Sequence, residues 1–251
     1  MTESDEARGA RLTEELITVL TLTFLGTATV DYQGTLAEES LDDKEATLQV
    51  YEGQSQRQPH GRVFGGQVLA QALMAAGRTV EQAVGTGTPR PVHSLHAYFV
   101  RPGDDTLPIR FTVEPMRDGR SFSTRRVQAI QKGHVLLTMA ASFQETAAGI
   151  EHMDPIPSAP DPETVPTFSE SLSEVNGTAA EFFVKGRPFD VRTVEGPIHL
   201  RPGRQLSNRQ KVWMRSFAPL PEDPLLHAAM LAYASDYVML EPVLRRHGLA
   251  W

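Results

Sequence analysis

From Gly65 to about Thr79 the chain is apolar or small on almost every side, and that stretch limits the folds open to it. After the paired glycines Gly65 and Gly66, the residues Val68, Leu69, Ala72, Leu73 and Ala76 recur at helical spacing and make one core-facing stripe. Ala70, Ala75 and Ala76 are small enough for other backbone to come close, while Gln71 and Arg78 fall outside the stripe. A helix of this kind belongs in an interior. Its glycine lead-in exposes amide N–H groups, and a helix N-terminus of that sort holds an anion or a polarised carbonyl oxygen. A plain core helix with a flexible lead-in fits the same spacing.

What could bury such a helix follows it. From Val92 the apolar period switches to two, and Val92–Arg101, Pro108–Met116, Ser121–Gln131 and His134–Gln144 read as strands. Pro102-Gly103-Asp104-Asp105, Asp118-Gly119 and Lys132-Gly133 lie between them as turn signals. Strands joined so tightly pair antiparallel with their chain neighbours, because a parallel return needs about a dozen residues or more. Ala46–Tyr51 adds a strand before the helix, and a Gly/Thr/Pro loop, Gly85–Pro91, follows it. Upstream, Met1–Arg11 reads as a frayed polar lead, and Leu12–Leu25 as an amphipathic helix or a helix passing into a strand. An antiparallel sheet with one apolar face wrapped around one long helix is an α+β arrangement of the hotdog type.

The second half begins in the same way. Ala147–Phe168 carries Pro155, Pro157, Pro160, Pro162 and Pro166, a density that excludes helix and central strand and predicts a stiff extended linker. Beyond it, Glu181–Val194 and Arg209–Phe217 read as strands. Asp223-Pro224 then opens a helix predicted to reach about Arg246, with Pro242 kinking it or ending it early and His247-Gly248 as its stop. The division expected is a lead over 1–29, a first hotdog domain over 30–146, a linker over 147–180 and a second hotdog domain over 181–251. After the second helix only His247–Trp251 remain, so the second sheet is expected to be incomplete in this chain. The stripe Leu226, Met230, Tyr233 and Tyr237 is then expected to be uncovered.

Charge and composition remove several classes of function. A net charge of −7 leaves no basic excess for nucleic acid. The complete lack of cysteine removes disulfides, thiolate nucleophiles and cysteine-held zinc, and suits a reducing cytoplasm. The run Leu16–Leu25, broken by threonines, is too short to span a membrane. His93 and His96 point to opposite faces of a strand, and no HExxH occurs, so no metal site is expected. There is no GxSxG and no Walker sequence. Arg117, Arg120, Arg125 and Arg126 form the densest basic cluster, either a solvated hairpin or a seat for an anionic ligand.

Asp236, within Tyr233-Ala234-Ser235-Asp236, is the polar residue with most to say. Helical counting puts it over Tyr233, Ala232 and Ala229, beside the apolar stripe and among side chains small enough to leave room for a water. A carboxylate disfavoured by such surroundings suits a general base, and an aspartate capping something local fits the same spacing.

Several motifs together resemble one family. Arg62-Val63-Phe64-Gly65-Gly66-Gln67, Val92-His93-Ser94-Leu95-His96, Tyr98-Phe99-Val100-Arg101-Pro102-Gly103-Asp104 and Arg117-Asp118-Gly119 resemble acyl-CoA thioesterase II, the TesB-like family. Ser121-Phe122-Ser123, Ala141-Ser142-Phe143-Gln144, Pro157-Ser158-Ala159-Pro160, Arg187-Pro188, Arg209-Gln210-Lys211-Val212-Trp213 and Leu231-Ala232-Tyr233-Ala234-Ser235-Asp236 continue the likeness in order from about residue 47. The resemblance implies a double hotdog and hydrolysis of acyl-CoA to fatty acid and CoA, with no cofactor and no covalent intermediate, and the apolar lining expected between helix and sheet implies acyl chains of medium to long length. It places the family's catalytic aspartate on Asp236. The hydroxyl residue and the glutamine that complete the family's set are expected beyond Trp251, and neither Gln67 nor Gln144 matches that glutamine. Gly65, Gly66 and Gln67 are the expected contacts for the thioester carbonyl or acyl end. The implied partners are the acyl-CoA substrate and further copies of the chain, in the cytoplasm. Two rival readings are a hotdog that binds acyl-CoA without turnover, and an enoyl-CoA hydratase, for which no local Asp-x-x-x-x-His pattern is present.

Overall fold

The computed structural model describes residues 5–30, 46–85, 89–171, 186–196, 198 and 206–250. The chain falls into two compact units, one of Val19–Ala148 with Asp223–Tyr233, the other of Met1–Thr18, Gly149–Glu222 and Ala234–Trp251.

The first unit is a six-stranded antiparallel sheet around one helix. Its strands are β1 (Thr23–Val30), β2 (Ala46–Gly53), β3 (Val92–Phe99), β4 (Ile109–Asp118), β5 (Phe122–Gln131) and β6 (His134–Gln144). They lie in the order β1-β2-β4-β5-β6-β3. The helix α2 (Gly65–Val84) packs against β2 to β6. Period two decides which side chains meet it. Ile109, Phe111 and Val113 of β4, Val127 and Ala129 of β5, and Leu137, Met139, Ala141 and Phe143 of β6 are all buried. Lys132 and Gly133 join the paired residues Gln131 and His134, both with positive φ (51° and 76°), as a type I′ hairpin turn requires. Pro115 stands past the last β2–β4 pair, so its missing N–H costs that ladder nothing.

Several sequence expectations change here. The lead is helical from Asp5: α1 (Asp5–Leu20) has Leu16 and Leu20 fully buried, and β1 follows it to pair with β2, so the helix passes into a strand. The strand β3 does not return on β4 but pairs with β6 at the sheet's edge. The loop between them has spent its backbone groups elsewhere. Gly103 accepts from the Val63 amide, the Asp105 amide donates to Gly61, and Arg62 bridges to Asp104. Gln71, expected outside the stripe, is fully buried. Residues 1–4, 31–45 and 86–88, which belong to the expected lead, first domain and Gly/Thr/Pro loop, lie outside the described residues.

The helix α4 (Pro224–Ser235) does not present the uncovered face expected of it. Leu225, Leu226, Ala229, Met230 and Tyr233 are buried, with Leu231 the exposed exception. Two glycines of α2 explain the close approach. A Cβ on Gly66 would collide with the Tyr233 carbonyl, and one on Gly77 with the Leu225 side chain. These glycines are eleven residues apart, about three turns, so they share one face. Their contacts run in reverse order along α4, which is therefore antiparallel to α2.

Asp223 secures the start of α4 in two ways. Its Oδ1 accepts from the Leu225 and Leu226 amides at 3.0 and 3.2 Å, and its Oδ2 accepts from Arg78 at 2.8 Å. Burial works against the charged carboxylate, but Arg78 and the two amides outweigh it and hold the group below the ordinary carboxylate range. A depressed folded pKa contributes stability above the unfolded value of about 4, lost as pH falls through the folded value. Asp223→Ala is therefore expected to cost about 1–2 kcal/mol in urea unfolding at neutral pH, mostly as a lost cap and less as a half-exposed ion pair. The difference from the parent protein should narrow at about pH 3.

In the second unit, β7 (Phe189–Thr193) and β8 (Val212–Ser216) form a two-stranded antiparallel ladder. Both are shorter than expected, and residues 181–185 lie outside the described residues. The proline-rich linker is tied to this ladder. Ser158 accepts from Lys211, Pro160 from the Trp213 indole and Pro162 from Arg192. Within and after it, Pro162–Thr164 make a 3-10 turn and α3 (Phe168–Ser171) one helical turn, which the expected linker lacked. The predicted helix to Arg246 is broken: α4 stops at Ser235 and α5 (Glu241–Arg246) begins after a turn. Pro242 sits in the first turn of α5, where its missing donor costs nothing, and so the break falls before it. Gly248, with φ 68°, follows α5 as the expected stop.

Candidate active site

The glycine lead-in forms one wall of a cleft in the first unit. Val63, Gly65 and Val68 face Phe99, Val100 and Leu136 across a volume of about 320 Å³. That is the lower end of the roughly 300–1,000 Å³ typical of small-ligand sites. Gly103 lets the walls close on one another, since a Cβ there would stand 2.9 Å from Leu136 Cδ1 and 3.0 Å from Val63 Cγ2. Phe99 and Val100 are 56% and 48% exposed, so the cleft opens at the edge of β3.

The three residues expected at the helix start differ in what they offer. Gly65 lines the cleft, and no acceptor for its amide occurs among the described residues, as for the first donors of any helix. Gly66 is packed beneath the Tyr233 carbonyl and the Phe64 ring. Gln67 is fully buried and its groups are engaged inside the fold. Its amide donates to Phe64, its Oε1 accepts from the Gln56 amide at 2.9 Å, and its Nε2 donates to Gln54 and Gln71.

Asp236 lies in the second unit, in the turn after α4 rather than on the helical stripe, and is half-buried. There the Tyr237 amide bonds to Ala234, three residues back, so the helical ladder has already ended. Its neighbour Tyr237 is packed under the Arg187 guanidinium, 4.4 Å from the ring centroid, and edge-on to Phe189. Five residues on, Glu241 is buried and accepts from Gln210 at 2.7 Å. Burial pushes its carboxyl up, against the pull of Gln210, Arg187 and Arg245. Sequence reading passed over Glu241, and its position after Leu240 and before Pro242 carried no signal beyond a helix start.

The arginine cluster is not a single cationic patch. Arg125 points into the core, donating to Thr79 and paired with Asp118 at 2.9 Å, while Arg126 pairs with Glu114 on the other face of β5. Alternation along a strand accounts for the split. Among the described residues no group of three His, Asp or Glu side chains could hold a metal ion, and no helix is long and apolar enough to cross a membrane.

Residues 54–144 match the family model for the acyl-CoA thioesterase N-terminal domain, and residues 179–251 that for acyl-CoA thioesterase. Over 215 residues the chain is 35% identical to acyl-CoA thioesterase 2 of Haemophilus influenzae, covering 83% of this chain and 70% of that protein. It is 33% identical over 205 residues to human acyl-coenzyme A thioesterase 8, covering 75% of this chain and 61% of that one. The chain thus spans about three-fifths of the human relative's length. The solved structure of an acyl-CoA thioesterase II, TesB2, from Mycobacterium marinum is 36% identical with a TM-score of 0.60, covering 91% of this chain and 71% of that one. A hot dog fold protein from Alicyclobacillus acidocaldarius has a TM-score of 0.65 at 20% identity, covering 92% and 72%, a likeness in fold alone.

Proposed function

The chain belongs to the TesB-like acyl-CoA thioesterase II family, with the hotdog fold, and from that membership we propose that it hydrolyses medium- and long-chain acyl-CoA to fatty acid and CoA. The observation that carries this reading is the apolar cleft at the glycine start of α2. Its walls suit an acyl chain, and the Gly65 amide, which lines the cleft at the positive end of the helix dipole, suits the oxygen at the end of that chain.

Asp236 takes a proton from water as the water oxygen bonds to the thioester carbon. The carbonyl oxygen gains negative charge, which N–H donors stabilise. The carbon–sulfur bond then breaks and the thiolate leaves with its electron pair, to be protonated as CoA thiol. Gly66 gives the helix start its close packing, and Gln67 supports the site by holding the strand exit beside it. We extend the same reading to two hotdog domains, over 30–146 and 181–251, to self-association and to a cytoplasmic setting.

Thiol release from acyl-CoAs graded from butyryl to stearoyl, measured on the full-length protein, tests the reading. Specificity should rise from short to medium and long chains. Saturable acyl-CoA binding with no thiol released would refute turnover, and loss of an enoyl absorbance with no thiol would point to hydration. Light scattering at graded concentrations tests self-association: a constant monomer mass would refute it.

A further inference from the structure

Gln71, Gln67, Gln56 and Tyr233, on three segments, are linked by hydrogen bonds that pass through the Gln56 backbone amide, and the mechanism above uses only the part of this network at Gln67. Gln71 Nε2 donates to the Val19 and Gln54 carbonyls at 2.9 and 2.8 Å, and its Oε1 accepts from Gln67 Nε2 at 3.1 Å. Gln67 reaches Gln54 as well and accepts from the Gln56 amide. Gln56 Oε1 in turn accepts from the Tyr233 hydroxyl at 2.8 Å. Both amide hydrogens of Gln67 and of Gln71 are donated to protein oxygens, and both side chains are fully buried. Such a network is rigid because leaving any member unsatisfied in a low-dielectric interior is costly. Its far end lies on α4, where the Tyr233 ring stands edge-on to Phe64 at 5.0 Å and the Tyr233 carbonyl faces Gly66. Along the chain, Asp236 follows Tyr233 by three residues.

We propose that Gln71, Gln67 and Gln56 are positioning residues that fix Tyr233, and with it the end of α4 from which the catalytic turn departs. The inference rests on the thioesterase reading above. A packing tyrosine needs only its ring, so the hydroxyl and its acceptor are what separate a positioning role from a merely structural one. Reacting groups displaced by about 1 Å lose up to about 100-fold in rate.

The test uses the full-length protein with Tyr233→Phe, Gln56→Leu, Gln56→Glu and the double variant Tyr233→Phe/Gln56→Leu. Tyr233→Phe and Gln56→Leu should each lower kcat by about 10- to 100-fold with KM within about twofold. The double variant should be no worse than either, because both remove one interaction. Gln56→Glu keeps an acceptor and should restore most of the rate. Multiplicative losses, losses that follow thermal midpoints rather than the hydroxyl, or an unchanged kcat would overturn the proposal. Should the parent protein release no thiol at all, the thioesterase reading fails by itself. Hydrogen exchange then decides the relay: faster exchange in both 54–58 and 224–233 on Tyr233→Phe supports it, and unchanged exchange overturns it.

Discussion

Replacing Asp236 by Asn is expected to cut the turnover of palmitoyl-CoA by about 10²–10⁴-fold, the usual worth of a positioned base. The change keeps size and hydrogen-bonding capacity and removes only the ability to take a proton, so folding should be intact. The half-buried setting of Asp236, in a turn and not within a helix, matters here. Undiminished hydrolysis with a normal unfolding midpoint would remove Asp236 from the chemistry.

The second large effect is structural. Gly66→Ala is expected to destabilise the protein by about 3 kcal/mol, the upper range for overpacking a core. The added Cβ would meet the Tyr233 carbonyl and the Phe64 ring, whose Cε1 would be 2.5 Å away. A backbone carbonyl moves only if α4 moves, so the helix pair must separate. Gly77→Ala makes the useful contrast. The three atoms nearest its Cβ all belong to the flexible end of Leu225, which can turn aside, and the cost should be nearer 1 kcal/mol. Equal losses in chemical unfolding would show that the carbonyl contact does not set the spacing of the helices.

That same contact marks where sequence reading succeeds and where it stops. The buried character of α2 was legible because small and apolar residues occupy nearly all of it, and the Lys132-Gly133 hairpin because few residues tolerate positive φ. The partner of β3 was not. Pro102-Gly103-Asp104-Asp105 has the composition of a hairpin turn, but Gly103 and Asp105 bond to Arg57, the Gln58 amide, Gly61 and Val63, some forty positions upstream, and Asp104 to Thr106, Gln131 and Lys132. Gln71 was misplaced for a related reason. A buried glutamine with every donor satisfied cannot be told from a surface one by spacing, since its partners are backbone carbonyls of Val19 and Gln54. At the candidate site, Gly65 and Asp236 are proposed from motif likeness, while the link between Tyr233 and Gln56 required coordinates because residues 177 positions apart meet there.

The reading of hydrolysis by direct attack of water is tested most directly by one turnover of acyl-CoA in water labelled with oxygen-18, with enzyme in excess. Direct attack predicts fatty acid carrying one labelled oxygen and an Asp236 carboxylate that stays unlabelled. Unlabelled acid from that first turnover, with the heavy oxygen found in the Asp236 carboxylate, would mean that the side chain attacks the thioester itself and would contradict the account.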